Sequence, residues 1–173
     1  APASRLFPHQ MDKPQFLELF GSVFEHSPWI AEAVFDGEMG PVHDHAPGLF
    51  AAMAQVFRRA SDQDRMDVLL AHPDLAGKLA AAGRLTEAST SEQASAGLDM
   101  LTDDERARFT TLNTAYRERF GFPFIIAVKG LTKADILAAF ERRIDHSIED
   151  EFATACREVE KIARLRLDAI LPQ

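Results

Sequence analysis

Cysteine is almost absent from this chain of 173 residues, which has Cys156 alone. An intrachain disulfide is therefore excluded, and a reducing, cytoplasmic compartment is expected. Positive charge is also scarce: the net charge of −8 argues against a nucleic-acid partner, because that affinity needs clustered Lys and Arg. No segment is long and apolar enough to cross a membrane, and the Ala1–Arg5 stretch does not resemble a signal peptide, so neither is expected.

The composition that remains is that of a soluble globular domain. Hydrophobic residues make up 46% of the chain and charged residues 27%. The length suits one domain with a real core, so we expect a single domain over residues 1–173. Cys156 lies in a helical pattern, where it is either a small core residue or a reactive thiol.

Capping and proline signals predict one helix after another. In the first half, helices are predicted to start at Asp12–Pro14, Ser27–Pro28, residue 48 and Ser61, and to end near Gly37, residue 59 and His72–Pro73. Residues 40–47 are predicted to be a loop. In the second half, Ser89 with Glu92, Thr102 with Glu105 and Ser147 with Asp150 are possible capping boxes, and residues 133–145 form another helical pattern.

One apolar run does not look helical. Residues 122–128, Phe-Pro-Phe-Ile-Ile-Ala-Val, lie between Gly121 and Gly130 and could form a strand. No partner strand is evident, and an unpaired strand is unstable. We therefore predict an all-α helical bundle with one buried extended segment at 122–128. Its backbone polar groups need partners, and a polar ligand is one way to supply them.

Two positions in the middle of the chain could carry acid–base chemistry. His72 is fixed at a helix end by Pro73, and a histidine titrates near neutrality, so His72 is either a general acid or base or a structural residue. Glu92 is either the reciprocal partner of Ser89 in a capping box or a group that acts on a ligand. The two roles are compatible, because a helix N-terminus also offers N–H groups to an anion.

An arginine on the last predicted helix is the third candidate. At about 100° per residue, Arg166 falls on the apolar face that contains Val159 and Ile162, whereas Arg164 is rotated by about 160° from Arg166. A buried arginine must be paired, so Arg166 binds either an anion or an internal carboxylate. His43-Asp44-His45 is a weaker metal-binding candidate, because no third ligand stands at a typical spacing and a solvated loop is the favoured explanation.

Several stretches together resemble the 2-oxo-4-hydroxy-4-carboxy-5-ureidoimidazoline (OHCU) decarboxylase family. In order along nearly the whole chain they are Phe24–Ala31 (FEHSPWIA), Ala71–Lys78 (AHPDLAGK), Ser91–Leu98 (SEQASAGL), Leu112–Val128 (LNTAYRERFGFPFIIAV) and Lys161–Leu167 (KIARLRL). Each stretch alone is a weak signal, whereas the ordered set is specific.

The resemblance implies an all-helical homodimer that decarboxylates OHCU to (S)-allantoin in uric acid degradation without a metal or organic cofactor. It implies that His72 and Glu92 are catalytic. The substrate-binding positions that it implies are Pro73, Ser89, Gln93, Phe124, Ile125, Ile126, Ala127, Val128 and a C-terminal arginine, for which the helical face selects Arg166 over Arg164. The final Leu-Pro-Gln differs from the peroxisomal tripeptide of many eukaryotic members, which favours a cytoplasmic enzyme.

Two other functional classes remain open from the residues alone. One is a metal-dependent hydrolase that uses His43, His45 and His72. The other is a non-enzymatic helical interaction module in which His72 and Arg166 are structural polar residues. A tightly bound stoichiometric metal would favour the first, and failure to accelerate OHCU loss would favour the second.

Overall fold

Helices account for most of the chain, as the capping signals predict. The computed structural model describes residues 7–77, 80 and 82–173, so the Ala1–Arg5 stretch and Lys78 of the sequence analysis lie outside the described residues. The described residues form eight α-helices and no strand, which confirms the all-α class. The helices are α1 (Lys13–Phe20), α2 (Trp29–Asp36), α3 (Ala46–Arg59), α4 (Asp62–Leu70), α5 (Glu87–Ser95), α6 (Asp103–Phe120), α7 (Lys133–Arg143) and α8 (Ile148–Asp168), with 3₁₀ helices at Pro8–Gln10 and Pro41–Asp44.

The described chain divides into two compact units. The first contains the described residues up to Ala71 together with Glu160–Gln173, and the second is His72–Val159. Helices α1 to α4 belong to the first unit and α5 to α7 to the second, while α8 has residues in both. A single domain over the whole chain stays a prediction.

Local capping bonds explain where several helices begin and end. At the start of α1, the side chain of Asp12 accepts a hydrogen bond from the backbone N–H of Gln15. At the start of α4, the side chain of Ser61 accepts one from the backbone N–H of Asp64. Thr102 and Glu105 form the predicted capping box of α6, which ends at Gly121 with φ of 78°. Helix α4 ends at Leu70, just before His72–Pro73, as predicted.

Two boundaries in the first unit differ from the prediction. Pro28, not Ser27, is the N-cap of α2. The predicted loop at 40–47 contains a 3₁₀ helix, and α3 begins at Ala46 rather than at residue 48. Pro47 is compatible with this earlier start because proline is tolerated in the first helical turn, where its missing N–H leaves no bond unmade.

Aromatic side chains build the core of each unit. In the first unit, Phe24 and Phe57 are buried with ring centroids 5.4 Å apart. In the second, buried Tyr116 meets the rings of Phe124 and Phe140 edge-on at 5.5 and 5.8 Å. Such contacts add to the hydrophobic stabilisation of burial.

No described helix has both the length and the apolar character needed to span a bilayer.

Candidate active site

His72 lies in the second unit at the start of an irregular loop that follows α4. Its side chain is buried, and Pro73 after it is half-buried. Because proline fixes its own φ and restricts the residue before it, the dipeptide limits how the chain can leave the helix. A buried imidazole on a restricted backbone has the fixed orientation that proton transfer requires.

The side chain of Gln93 on α5 joins this loop directly. Its Oε1 accepts from the backbone N–H of Ala76 at 3.0 Å, and its Nε2 donates to the carbonyl of Asp74 at 3.4 Å. Gln93 is itself buried. The bonds therefore fasten one face of α5 to the loop that begins with His72.

Helix α6 holds the same loop from two further positions. The Nδ2 of Asn113 donates to the carbonyl of Leu75 at 2.9 Å, and the Nε of Arg117 donates to Oδ1 of Asp74 at 2.8 Å. The loop thus has side-chain partners from α5 and α6. No sequence pattern pointed to Asn113 or Arg117 individually. Both lie in the family-like stretch Leu112–Val128 and, four residues apart, share one face of a helix.

The predicted capping box of Ser89 and Glu92 is wrong. The N-cap of α5 is Thr86, whose hydroxyl accepts from the backbone N–H of Ser89 at 3.2 Å. Ser89 and Glu92 therefore lie inside the helix, where the Ser89 side chain is buried and that of Glu92 is half-buried. The competing signal was Thr86 followed by an acidic residue, Glu87, in the first turn. Ser89, Glu92 and Gln93 have i, i+3 and i+4 spacing, so the three predicted site residues of α5 share one face of the helix.

The segment at 122–128 is mostly buried and belongs to no helix or strand, as predicted, whereas its extended backbone stays a prediction. Side chains take the place of a strand partner: the carbonyl of Ile125 accepts from Nη1 of Arg143 at 2.8 Å, and the N–H of Ala127 donates to Oε1 of Glu158 at 3.1 Å. The ring of Phe124 stacks on Phe140 with centroids 3.9 Å apart. Protein groups thus satisfy part of the hydrogen-bonding capacity for which a ligand was considered.

A buried ionic network, which no sequence motif indicated, supports this segment. Arg143, 4% exposed, donates from Nε and Nη2 to Glu151, which is fully buried. Tyr116 donates its hydroxyl to the same carboxylate, and Nδ1 of His146 lies 3.1 Å from Oε1. Burial, followed by the Glu151 hydrogen bond, raises the pKa of Tyr116 far above its usual range. An available signal was Glu151 four residues before Ala155 on the apolar face of α8.

Arg166 lies in the first unit and is directed inward. Its side chain is 9% exposed, and its Nη2 donates to Oε2 of Glu25 at 2.8 Å. Its Nη1 donates to the carbonyl of Ser22 at 3.1 Å. Arg164 is 34% exposed and pairs with Asp168 at 2.9 Å. The helical face thus separates the two arginines as predicted, and an internal carboxylate, one of the two alternatives, is a partner of Arg166.

The His43-Asp44-His45 stretch takes part in local structure in the first unit. Asp44 is buried and lies 2.6 Å from Nδ1 of His9. His43 accepts through Nδ1 from the N–H of Gly40, and Nδ1 of His45 lies 3.1 Å from the carbonyl of Gln173. Over residues 7–77, 80 and 82–173, no three His, Cys, Asp or Glu side chains are grouped so that they could hold a metal ion.

A surface cleft of about 590 Å³ is also present in the first unit. It is lined by His43, Gly48, Ala51, Ala52, Gln55, Arg58 and Arg59. None of the predicted catalytic or substrate-binding residues is among them. Of the two arginines in the cleft, Arg58 pairs with Glu160.

Comparison with known proteins gives a consistent assignment. The family model described as OHCU decarboxylase matches residues 9–168. The 2-oxo-4-hydroxy-4-carboxy-5-ureidoimidazoline decarboxylase of Halalkalicoccus jeotgali is 44% identical over 162 residues, covering 94% of this chain and 88% of the relative. A uric acid degradation bifunctional protein of Bacillus sp. is 34% identical over 162 residues, covering 94% of this chain and 31% of the relative.

A solved structure agrees with the sequence comparison. The crystal structure of an (S)-allantoin synthase superimposes with a TM-score of 0.71 at 32% identity, covering 95% of this chain and 52% of the other. The family match includes His72, the α5 face and the segment at 122–128. With a family model over most of the chain and a 44% identical relative over nearly its full length, this chain belongs to the OHCU decarboxylase family.

Proposed function

We propose that this protein decarboxylates OHCU to (S)-allantoin in uric acid degradation, as a carboxy-lyase. The observation that carries the proposal is the attachment of the α5 face to the His72 loop through Gln93. This attachment joins, in one unit, five residues that the family resemblance marks as functional, namely His72, Pro73, Ser89, Glu92 and Gln93. The printed names of the relatives supply the substrate, the product and the pathway.

The chemistry of the substrate explains what the protein must supply. The carbon that carries the carboxylate adjoins a C=N bond. When the C–C bond breaks and CO₂ leaves, its electron pair moves into the C=N unit and the nitrogen takes a proton. The enol-like intermediate then loses its hydroxyl proton as the neighbouring carbon gains one. Because the substrate accepts the electrons itself, the reaction needs no pyridoxal or thiamine as electron sink.

His72 is the residue that we assign to proton transfer, with Glu92 as the second catalytic group. A histidine changes protonation state near neutral pH, and its buried position in a braced loop fixes its direction. Glu92 is half-buried on the α5 face, and its role no longer competes with helix capping, since Thr86 is the cap. Protonation of one face of the carbon gives the (S) configuration.

Substrate binding is assigned to further residues of the second unit. Pro73, Ser89 and Gln93 belong to the same loop and α5 face. Gln93 can make further hydrogen bonds to a substrate. Its carboxamide has two N–H donors and two acceptor lone pairs, and the loop uses one of each. The remaining binding groups are Phe124, Ile125, Ile126, Ala127 and Val128 of the extended segment.

Arg166 is assigned to an anionic or carbonyl oxygen of the substrate. A guanidinium has five N–H donors in a planar fork, so it can serve an internal carboxylate and a second acceptor. Glu25, 1% exposed, fixes the plane of that fork. The inward direction of the side chain supports this assignment over Arg164.

The decisive experiment measures the loss of freshly generated OHCU against its uncatalysed decay. Urate is oxidised and hydrolysed in situ, OHCU is followed by absorbance, and the handedness of allantoin is followed by circular dichroism. We expect faster loss and an excess of the (S) product with the wild-type protein. A rate and handedness equal to those without protein would refute the proposed function.

His72 is tested with a matched histidine control. His72→Ala should lower kcat/KM by about 10²–10⁴-fold, the usual scale of general acid–base catalysis. His45→Ala, at an exposed position, should leave it unchanged. Near-normal kcat/KM in folded His72→Ala would remove His72 from the chemistry, and equal losses in both variants would show that the effect is not specific to His72.

Glu92 is tested in the same assay against an acidic residue of its own helix. Glu92→Gln should reduce turnover while the melting temperature stays close to that of the wild type, because α5 keeps its Thr86 cap. Glu87→Gln, in the exposed first turn, is the control and should have normal turnover. Normal turnover in both variants would leave Glu92 without a catalytic role.

A cytoplasmic homodimer is the state in which we propose that the protein works. The single buried cysteine suits a reducing compartment, and the family resemblance implies two subunits. Light scattering after size-exclusion chromatography should give twice the chain mass of 19.2 kDa. A monomer mass at assay concentration would contradict the dimer, and recovery of the native protein outside the cytoplasmic fraction would contradict its location.

A further inference from the structure

We propose that Asn113 and Arg117 are positioning residues that hold the His72 loop, and through it the imidazole, in its working orientation. The proposal rests on the proposed function only for its effect on turnover, since the orientation of His72 can be measured by itself. Neither residue needs to touch the substrate. Both act through the backbone and side chain of residues that follow His72 within three positions.

The loop has a conformation that its own sequence does not stabilise. Ala76 has a φ of 51°, in the left-handed region that a residue with a Cβ rarely adopts. A Cβ added to Gly77 would lie 2.7 Å from the Cβ of Asp74, so the chain turns tightly there. A loop of this kind keeps one conformation only where surrounding contacts hold it.

Those contacts come from two helices and fall on successive residues of the loop. Gln93 of α5 binds the N–H of Ala76 and the carbonyl of Asp74. From α6, Asn113 binds the carbonyl of Leu75 and Arg117 binds the carboxylate of Asp74. Because positions 113 and 117 are one helical turn apart, a single rigid face of α6 fixes two adjacent residues of the loop.

The surroundings of Asn113 support a role for its amide beyond packing. The side chain is 7% exposed, and its Nδ2 donates to Leu75 at 2.9 Å. Within the described part of the chain, its Oδ1 has no hydrogen-bond partner. A buried polar atom without a partner is unfavourable, so burying this amide has a free-energy cost. The hydrogen bond from Nδ2 to the loop offsets that cost.

Arg117 provides the sharper test, because its bond lies at the surface. Arg117 and Asp74 are 42% and 27% exposed, and ion pairs of such exposure contribute little to the free energy of unfolding. A loss of activity in Arg117→Met would therefore exceed what lost stability explains. Arg108 is a matched control on the same helix, where it pairs with Glu141 at 2.7 Å with both side chains 50% exposed.

The first measurement is independent of activity. Long-range ¹H–¹⁵N correlation spectra report the imidazole nitrogens of the six histidines, and the His72 signals are identified by their loss in His72→Ala. We expect these signals to shift or broaden in Arg117→Met and in Asn113→Asp, and to be unchanged in Arg108→Met. Unchanged His72 signals in a folded Arg117→Met protein would overturn the proposal.

The second measurement separates binding from turnover. A misplaced catalytic group can cost about 100-fold in rate, so Arg117→Met should lower kcat by about 10- to 100-fold with KM little changed. Arg117→Lys, which keeps the charge, should recover part of that loss, and Arg108→Met should match the wild type.

If Arg117→Met and Arg108→Met have the same kcat, the inference fails while the proposed function stands. If the wild type itself does not accelerate OHCU loss, the proposed function fails, and the His72 spectra still decide the positioning.

Discussion

Replacing Arg143 by methionine should destabilise this protein more than any exposed charge substitution on the same scaffold. The change removes a guanidinium that is 4% exposed and leaves the carboxylate of Glu151 fully buried. Tyr116 and His146 remain as partners of the Glu151 carboxylate, but the positive charge that Arg143 brings to it through Nε and Nη2 is lost. Methionine keeps the aliphatic part of the side chain, so most of the effect comes from the lost charge and hydrogen bonds, including the one to the carbonyl of Ile125.

The expected magnitude follows from burial. Breaking a buried ion pair by removing one partner costs about 3–5 kcal/mol, because an uncompensated charge stays behind. The exposed pair of Arg108 and Glu141 sets the comparison, since such pairs contribute about 0.2–1 kcal/mol. Arg143→Met should therefore lower the free energy of unfolding by several times as much as Arg108→Met.

A double variant distinguishes charge from packing. Glu151→Gln alone leaves Arg143 buried with its counter-charge removed, whereas Arg143→Met with Glu151→Gln removes both charges and keeps an acceptor for the Tyr116 hydroxyl. The double variant should therefore be less destabilised than the sum of the two single variants. Urea unfolding followed by far-UV circular dichroism gives the three free energies. Strict additivity, or an Arg143→Met protein as stable as Arg108→Met, would refute this account of the network.

Three other outcomes are expected. Arg166→Lys should lower kcat/KM by roughly ten- to a hundred-fold, which is the effect of one lost charge-assisted hydrogen bond, whereas Arg164→Lys should have near-normal kcat/KM. A larger loss in Arg164→Lys than in Arg166→Lys, with both proteins folded, would assign the role to Arg164. Exhaustive chelation should leave OHCU turnover intact, and a loss restored by one specific metal would contradict this. The hydrogen bond from Lys133, with that from Thr102, lowers the pKa of Glu105 below 4.5, so its stabilisation is present above that pH and lost as the pH falls through the lowered value. The stability difference between the wild type and Glu105→Gln should accordingly shrink in acid, and a difference independent of pH would be inconsistent with the pKa shift.

The helices and their ends follow largely from the sequence, because capping is a local interaction. Thr102 with Glu105 and Ser61 with Asp64 each join residues three apart, so the pattern and the bond coincide. The same locality explains the error at α5. Thr86 and Ser89 both begin acceptable caps three residues apart, and local preference alone does not choose between them.

The inward direction of Arg166 was also accessible to the sequence, since a helix of 3.6 residues per turn gives each residue a face. Its partner was not, because Glu25 lies 141 positions away along the chain. The buried segment without helix or strand at 122–128 could be predicted from its apolar run between two glycines. The side chains that satisfy its backbone, Arg143 and Glu158, stand 18 and 31 positions from the groups they bind.

What the sequence by itself determined is therefore the local part: the helix class, most boundaries and the residue types that resemble a decarboxylase site. Only the tertiary structure decided how the His72 loop is held, because Gln93 and Asn113 reach it from 17 and 38 positions away. A hydrogen bond between residues that distant leaves no periodic mark in the sequence. It forms where burial removes competing water and packing brings donor and acceptor within about 3 Å, and that is a property of the folded chain.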